Sequence, residues 1–243
     1  NKKDPAYLGR LATQGSEQAY RDINGVWTRK ETSYGLLSAD DFDNMFNAKQ
    51  KITKGFRCAT ADVALSCDYF EMFAFEDKHV IDWEAFTGVL SDQAVINVRR
   101  FLERNSIRDE NFAYDSNGLG LYLEGFFKKS KKFNNKEQAS NPKLWNNLKS
   151  ECAEKFVKAV KEVEYSFDPL VLEKSVNNTT LRERLESQRP ALRRKDVDNG
   201  RFEIIQKPQM KIEVGHSPDT LEALFMREKF SGTNKIFTNL GLL

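Results

Sequence analysis

The chain has 243 residues, 40% of them hydrophobic, which is enough to bury one substantial core. Its 38 Lys and Arg against 36 Asp and Glu leave a formal net charge of +2, which excludes a whole-molecule attraction to nucleic acid and leaves only local patches for such binding. Three cysteines without CxxC spacing and two histidines argue against a zinc site or a disulfide framework, and the lack of a long apolar run or a signal peptide predicts a soluble intracellular protein.

The first half of the chain predicts a linker followed by strands and a helix. Residues 1–50 alternate short helical pieces with polar breaks, which indicates a linker or the tail of a preceding domain. Three segments rich in aromatic and β-branched residues come next, GFRCATADVAL, DYFEMFAFED and KHVIDWEAFTG, and predict three adjacent antiparallel strands. SDQAVINVRRFLERN predicts a helix with Ser91 as its N-cap, and NFAYDS predicts a short strand. This order is typical of an α/β fold with a mixed sheet.

The second half of the chain predicts further helices and a hairpin. The turn NGLG opens a second helix, and the basic, polar residues 128–141 predict an exposed loop. PKLWNNLKSECAEKFVKAVKEV and NTTLRERLESQRPALRR predict two more helices. NGRFEIIQKPQMKIEV is typical of a hairpin-like pair of short strands, and HSPDTLEALFMREKF of a final helix with Ser217 as N-cap and Pro218 at its first position.

Three aspartates are candidates for metal chemistry. Asp62 interrupts an apolar strand, where a buried carboxylate is costly unless it lies at an open edge or binds a cation. Asp115 ends another apolar strand, where open α/β sheets gather their ligands, and Asp219 lies in the first turn of the final helix. If the first and fourth strands are neighbours, all three carboxylates meet at one edge. Such oxygen donors suit Mg²⁺ or Mn²⁺, and two ions can cleave a phosphodiester.

Each of these aspartates also has a purely structural explanation. Asp115 with the following Ser-Asn-Gly could serve turn chemistry alone. Asp219 could complement the helix dipole, and Asp62 could belong to a buried ion pair. The hypothesis of a metal site therefore depends on the combination of the three.

Further candidates surround this set. Asp68, at the start of the second strand, is a possible additional metal ligand, and His216 is a possible auxiliary that orients a water or a phosphate. Glu222, one helical turn after Asp219, is expected to face solvent or make a capping contact. Two basic clusters are candidate DNA contacts, although each could equally be a solvated surface. They are Lys128, Lys129, Lys131 and Lys132, and a second group with Arg189, Arg193, Arg194 and Lys195.

These segments, in this order, resemble the nuclease domain of large terminase subunits of tailed bacteriophages. The resemblance rests on DVA in a first strand, D-S-N-G-x-G after a later strand, and S-P-D-x-x-E-A-L on a final helix. It implies a ribonuclease H-like mixed central β-sheet flanked by helices, with an additional β-hairpin before the last catalytic helix. AYLGRLATQGSEQAYRDINGVW is similar to the segment that joins the packaging ATPase to this nuclease, which implies a linker or ATPase tail over 1–50 and a nuclease domain over 51–243.

The resemblance also implies an activity and partners. Asp62, Asp115 and Asp219 match the family's catalytic, metal-binding acids, Asp68 matches a further acid, and the cofactors are two divalent ions, Mg or Mn. The implied function is cleavage of concatemeric viral double-stranded DNA in the host cell cytoplasm, with a small terminase subunit, a portal protein and the ATPase domain of the same parent chain as partners, and no membrane. The alternatives are a catalytically silent DNA- or portal-binding module and a ribonuclease H-like resolvase unrelated to packaging.

Overall fold

A mixed six-stranded sheet organises the residues that the computed structural model describes, which are 35–64, 69–195 and 200–231. Its strands are β1 Arg57–Asp62, β2 Phe70–Glu76, β3 His79–Phe86, β4 Phe112–Asp115, β5 Lys131–Phe133 and β6 Ser166–Phe167. A separate hairpin consists of β7 Ser175–Val176 and β8 Thr179–Thr180. The helices are α1 Ala39–Asn47, α2 Ser91–Arg104, α3 Leu148–Lys161, α4 Pro169–Leu172, α5 Leu181–Gln188, α6 Lys207–Val214 and α7 Asp219–Phe225. Short 3-10 helices cover Asp109–Asn111, Gly118–Gly125, Arg189–Ala191 and Met226–Phe230.

The strand order is β5-β4-β1-β2-β3-β6. Strands β1, β2 and β3 are antiparallel, while β4 and β6 add in parallel to β1 and β3, and β5 adds in parallel to β4. The predicted mixed α/β fold and its three consecutive antiparallel strands are therefore confirmed. Because β1 and β4 are parallel neighbours, their last residues, Asp62 and Asp115, lie at the same end of the sheet.

Side chains alternate between the two faces of the sheet, and each face has its own hydrophobic core. Ala59, Met72 and Phe112 belong to the core that α2 covers. Cys58, Phe73 and Ala113, with the opposite parity, belong to the larger core that includes α1, α3, α5 and α7. The same alternation places Asp62, Glu71 and Asp115 on the face covered by α7.

The predicted β-hairpin before the last helix is wrong in its second half, which forms helix α6. Pro208 lies in the first turn of α6, where its missing N–H costs no hydrogen bond, and Gly215 ends the helix with a φ of 78°. The first half of the segment pairs instead with other parts of the chain, through isolated bridges from Phe202 to Trp145 and from Ile204 to Arg194.

Smaller differences follow from packing. The predicted loop at 128–141 contains β5, because the buried Phe133 anchors it beside β4. The expected helix after NGLG is a 3-10 helix. Ser91 is the first residue of α2 rather than its N-cap, and α7 begins at Asp219 with Pro218 at the cap position. In the described part of the chain, no helix is long and apolar enough to cross a membrane.

Helix α1 lies within the predicted linker but packs into the larger core. Its buried residues are Phe42, Met45 and Phe46, and Phe46 makes an edge-to-face contact with Phe167 of β6 at 5.6 Å between ring centroids. Residues 1–34 lie outside the described residues. The boundary at residue 50 therefore stays a prediction.

Candidate metal centre

Four carboxylates meet at the end of the sheet where β1 and β4 finish. Asp62 and Asp115 are the last residues of these strands, and α7 carries Asp219 and Glu222. The Thr60 hydroxyl donates a hydrogen bond to the carbonyl oxygen of Ala223 at 2.6 Å, which holds α7 over β1. Since residues three apart share one face of a helix, α7 presents both of its acids to the strand ends.

The ammonium group of Lys207, at the start of α6, lies between three of these carboxylates. Its Nζ is 2.9 Å from Asp62 Oδ2, 2.8 Å from Asp219 Oδ1 and 3.5 Å from Glu222 Oε2. Lys149 of α3 approaches Glu222 from the other side, with 2.5 Å between Nζ and Oε1. The expectation that Glu222 faces solvent or a cap is therefore wrong: it is 4% exposed and lies between two lysines.

The electrostatics of the cluster follow from burial and crowding. Burial raises the pKa of Asp62 well above its usual range, Lys207 opposes this rise, and the neighbouring Asp219, Glu222 and Asp115 add to it. Burial also raises the pKa of Asp115. For Glu222, Lys149 and Lys207 outweigh the effect of burial and hold its pKa below the usual value. The cluster therefore disfavours the charged forms of Asp62 and Asp115, and Lys207 and Lys149 partly balance its acids.

The turn after β4 fixes Asp115. Its Oδ1 accepts hydrogen bonds from the backbone N–H of Asn117 at 2.8 Å and from its side-chain amide at 2.7 Å, so the turn chemistry considered for Asp115 is present. Gly120 passes so close to this turn that an added Cβ would lie 1.8 Å from the Asp115 carbonyl oxygen. Only glycine fits there, and the close approach ties the carboxylate's position to the following 3-10 helix.

The donor set suits a hard divalent cation. Within residues 35–64, 69–195 and 200–231, no three His, Cys, Asp or Glu side chains are arranged, as they stand, to hold one metal ion. Asp62, Asp219 and Glu222 converge instead on the ammonium of Lys207. Carboxylate oxygens are the ligands that Mg²⁺ and Mn²⁺ prefer. The residues fit such an ion once the Lys207 ammonium moves away from Asp62 and Asp219.

Of the two further residues predicted for the site, Asp68 and His216, the structure describes only His216. Asp68 lies outside the described residues. His216 is exposed, with Nε2 3.4 Å from the Ser187 hydroxyl, and lines the same cavity as Asp219.

The predicted DNA contacts lie in two different places. Lys128 and Lys129 line a cavity with residues 108–110, at the opposite end of β4 from Asp115. The remaining members contact nearby side chains: Lys131 lies over the Phe230 ring, Lys132 pairs with Glu124, Arg193 pairs with Glu213 and Arg194 lies over Phe202. Their role in DNA binding stays a prediction.

Sequence reasoning missed Lys207, Lys149 and Glu71. Glu71 lies opposite Asp62 in the β1–β2 pair and is completely buried. Like Asp62, Glu71 is an acid within an apolar strand, so the same pattern in the sequence could have identified it. The two lysines carried no local signal, because only the tertiary fold brings α3 and α6 to the carboxylates.

No protein-family model and no curated protein sequence matches the chain. Solved structures share its fold. The nuclease domain of the large terminase subunit gp2 of bacterial virus Sf6 is 15% identical with a TM-score of 0.66, over 79% of this chain and 97% of that one. A mutant of that domain with manganese and beta-thujaplicinol is 15% identical with a TM-score of 0.64, over 79% of this chain and 97% of that one. The large terminase nuclease of thermophilic phage G20c with bound cobalt is 10% identical with a TM-score of 0.52, over 82% of this chain and 98% of that one. The chain therefore has the fold of large terminase nuclease domains, as the resemblance implied.

Proposed function

We propose that this chain is a metal-dependent DNA endonuclease, the nuclease part of a large terminase subunit that cuts concatemeric viral double-stranded DNA during genome packaging. The observation that carries the proposal is the convergence of Asp62, Asp219 and Glu222 on the ammonium group of Lys207. Asp115 lies beside them at the end of the adjacent strand. The fold shared with terminase nuclease domains supports the packaging context.

In this proposal the carboxylates hold two Mg or Mn ions. Asp62, Asp115 and Asp219 would hold the ions, and Glu222 would be an added donor. Bound ions would supply an activated water and stabilise the leaving oxygen of the phosphodiester. Lys207 balances the charge of the acids before the ions bind, because its ammonium contacts Asp62 and Asp219 at 2.9 and 2.8 Å.

The cellular context is part of the same proposal. Residues 1–50, whose helix α1 packs on the nuclease core, lead from the ATPase domain of the parent chain to the nuclease, 51–243. The small terminase subunit selects the cutting site and the portal docks the motor, in the host cytoplasm. We keep Asp68 and His216 as proposed helpers of the metal site. Backbone contact with DNA is assigned to the two basic clusters.

A second candidate function is a catalytically silent DNA- or portal-binding module. One observation favours it: Lys207 already neutralises the carboxylate cluster without a metal. In a silent module this ion-pair network would serve only to hold α6 and α7 on the sheet.

Conversion of supercoiled plasmid to nicked and linear forms separates the two candidates. The purified chain is assayed with Mn²⁺, Mg²⁺ or EDTA, beside Asp62→Asn and the control Asp92→Asn, an exposed aspartate on α2. The nuclease cuts with metal, keeps cutting in the control and stops in Asp62→Asn. Folded protein that does not cut with either metal would favour the silent module, whereas equal cutting in Asp62→Asn would show that the carboxylate cluster is not the cutting site.

A further inference from the structure

A cavity of about 300 Å³ lies beside Asp219, between α5 and the start of α7. Its lining contains one buried acid, Glu71, and a set of residues with hydrogen-bond donors: Tyr69, Thr179, Arg184, Ser187, Gln188, His216 and Ser217. Asp219 lines it as well, so the cavity adjoins the carboxylate cluster. Ser217 donates a hydrogen bond to Asp219, but the four carboxylates do not account for Arg184.

Arg184 is the charged group in the wall of this cavity. Its side chain is 9% exposed, and its guanidinium stacks on Tyr69 with 3.9 Å between Cζ and the ring centroid. Its Nε is buried without a hydrogen-bond partner, and its Nη1 forms an ion pair with Glu71 at 3.5 Å. A buried guanidinium normally has acceptors for most of its five N–H groups. Arg184 is therefore held in place by stacking on Tyr69, while its Nε lacks a hydrogen-bond acceptor.

The nearest acid does not satisfy Arg184. Glu71 Oε1 is 3.5 Å from Arg184 Nη1. Each Glu71 oxygen also accepts a hydrogen bond from another residue at 2.8 Å, Oε2 from the indole N–H of Trp83 and Oε1 from the hydroxyl of Thr220. Glu71, which also lines the cavity, thus lies at ion-pair distance from Nη1 and leaves Nε of Arg184 without an acceptor.

The rim of the cavity supplies neutral donors. Ser187 lies three residues after Arg184 on α5; its hydroxyl donates to the Arg184 carbonyl oxygen at 2.8 Å and lies 3.4 Å from Nε2 of the exposed His216. A planar guanidinium with hydroxyl and imidazole groups around it is the chemistry that recognises a phosphate. Such contacts go to the nucleic-acid backbone and carry no base preference.

We propose that this cavity binds a backbone phosphate of the DNA strand, next to the phosphate at the carboxylates, with Arg184 as its charged donor. The inference rests on the proposed nuclease function, because it assigns a second contact to the same DNA strand. It explains why the cavity shares Asp219 with the carboxylate cluster: a strand held at Arg184 runs directly onto the acids. The contact would fix the position of the strand without reading its sequence.

The test measures DNA binding and cutting in Arg184→Gln. Binding of a short duplex in Ca²⁺ is followed by fluorescence anisotropy over a salt series, and plasmid cutting is followed in Mn²⁺. We expect the slope of log Kd against log salt to fall by about one and KM to rise about tenfold. The Mn²⁺ concentration for half-maximal cutting should not change, whereas a structural displacement of α7 would raise it.

Two further variants make the result decisive. Arg182→Gln is the matched control on α5, because Arg182 lies over Phe46 at 4.6 Å and pairs with Glu186. If Arg184→Gln does not fold, Ser187→Ala on the rim takes its place and should raise KM severalfold. Wild-type cutting with an unchanged KM and salt slope in the folded Arg184 or Ser187 variant, or an equal effect of Arg182→Gln, overturns the phosphate site alone. A wild-type chain that neither binds nor cuts DNA overturns the proposed function itself.

Discussion

Buried acids lie at both ends of this sheet, but their partners differ. At the end away from the carboxylate cluster, Asp77 accepts hydrogen bonds from the backbone N–H groups of residues 53–56, at 2.7 to 3.3 Å. Nearby, the Tyr165 hydroxyl donates to Glu228 at 2.6 Å. At the other end, Asp62 and Asp219 face each other and share the ammonium of Lys207.

The difference separates acids that serve the fold from acids that serve the site. Four amides outweigh the effect of burial and hold the pKa of Asp77 below its usual value, so its charge is favoured in the native state. Burial and neighbouring acids raise the pKa of Asp62, so its charge is disfavoured. The first arrangement uses fixed backbone dipoles, whereas the second uses the ammonium group of a single side chain, Lys207.

The largest predicted effect is a reciprocal pair of substitutions. We expect Asp77→Asn to lower the free energy of unfolding by about 3 kcal/mol, because one carbonyl oxygen cannot replace a carboxylate that accepts four N–H groups. Its metal-dependent cutting should persist below the melting temperature. Asp62→Asn should lose cutting yet change stability by less than about 1 kcal/mol, because losing the Lys207 contact is offset by less repulsion between acids. Urea denaturation and plasmid cutting measure both; equal destabilisation by the two variants would contradict the comparison.

The next largest effect concerns Lys207, whose ammonium group contacts both Asp62 and Asp219. Lys207→Met leaves Asp62 and Asp219 without their ammonium, and we expect a loss of about 2 kcal/mol in EDTA. The loss is limited because Glu222 keeps Lys149. Mn²⁺ should then raise the melting temperature more in the variant than in the wild type, since the metal no longer displaces an ammonium. Lys158→Met, at an exposed position of α3, is the control. An equal response to Mn²⁺ in all three proteins would show that Lys207 and the metal do not compete.

Sequence patterns predicted the parts of this molecule that depend on local periodicity. Strands β1 to β3 were predicted from their aromatic and β-branched segments, and Asp62 from its place within one of them. The helix α6 was not, because Met210, Ile212 and Val214 alternate with polar residues as in a strand. In the fold only Met210 of α6 is buried, and Ile212 is 75% exposed, so the alternation reflects no sheet face.

The full set of residues in the candidate site was harder to predict from the sequence. The three aspartates were identifiable because each occupies the end or start of a predictable element. Glu222 was misjudged because the direction in which α7 faces depends on its packing against β1 and β2, not on its own sequence. Lys207 reaches Asp62 across 145 positions of the chain, a contact that no local pattern encodes.

The smallest predicted effect is a pH dependence of stability caused by Glu71, which lies opposite Asp62 in the sheet. Burial raises the pKa of Glu71 to about 7, against the opposing effects of Arg184, Trp83 and Thr220. A carboxyl group with a raised folded-state pKa binds its proton more tightly in the native state. Its contribution to stability is therefore complete below the unfolded pKa, near 4.5, and is lost as the pH rises towards 7.

Glu71→Gln tests this sign, because its amide stays neutral at every pH. We expect the free energy of unfolding of the wild type to fall by about 1–2 kcal/mol between pH 4.5 and 7 relative to the variant. Urea denaturation at several pH values in EDTA measures the difference, with Glu84→Gln on β3 as a partly exposed control. A difference that grows in the opposite direction would mean that Arg184 keeps Glu71 ionised. The guanidinium would then already have its anion, which would weaken the case that it awaits a phosphate.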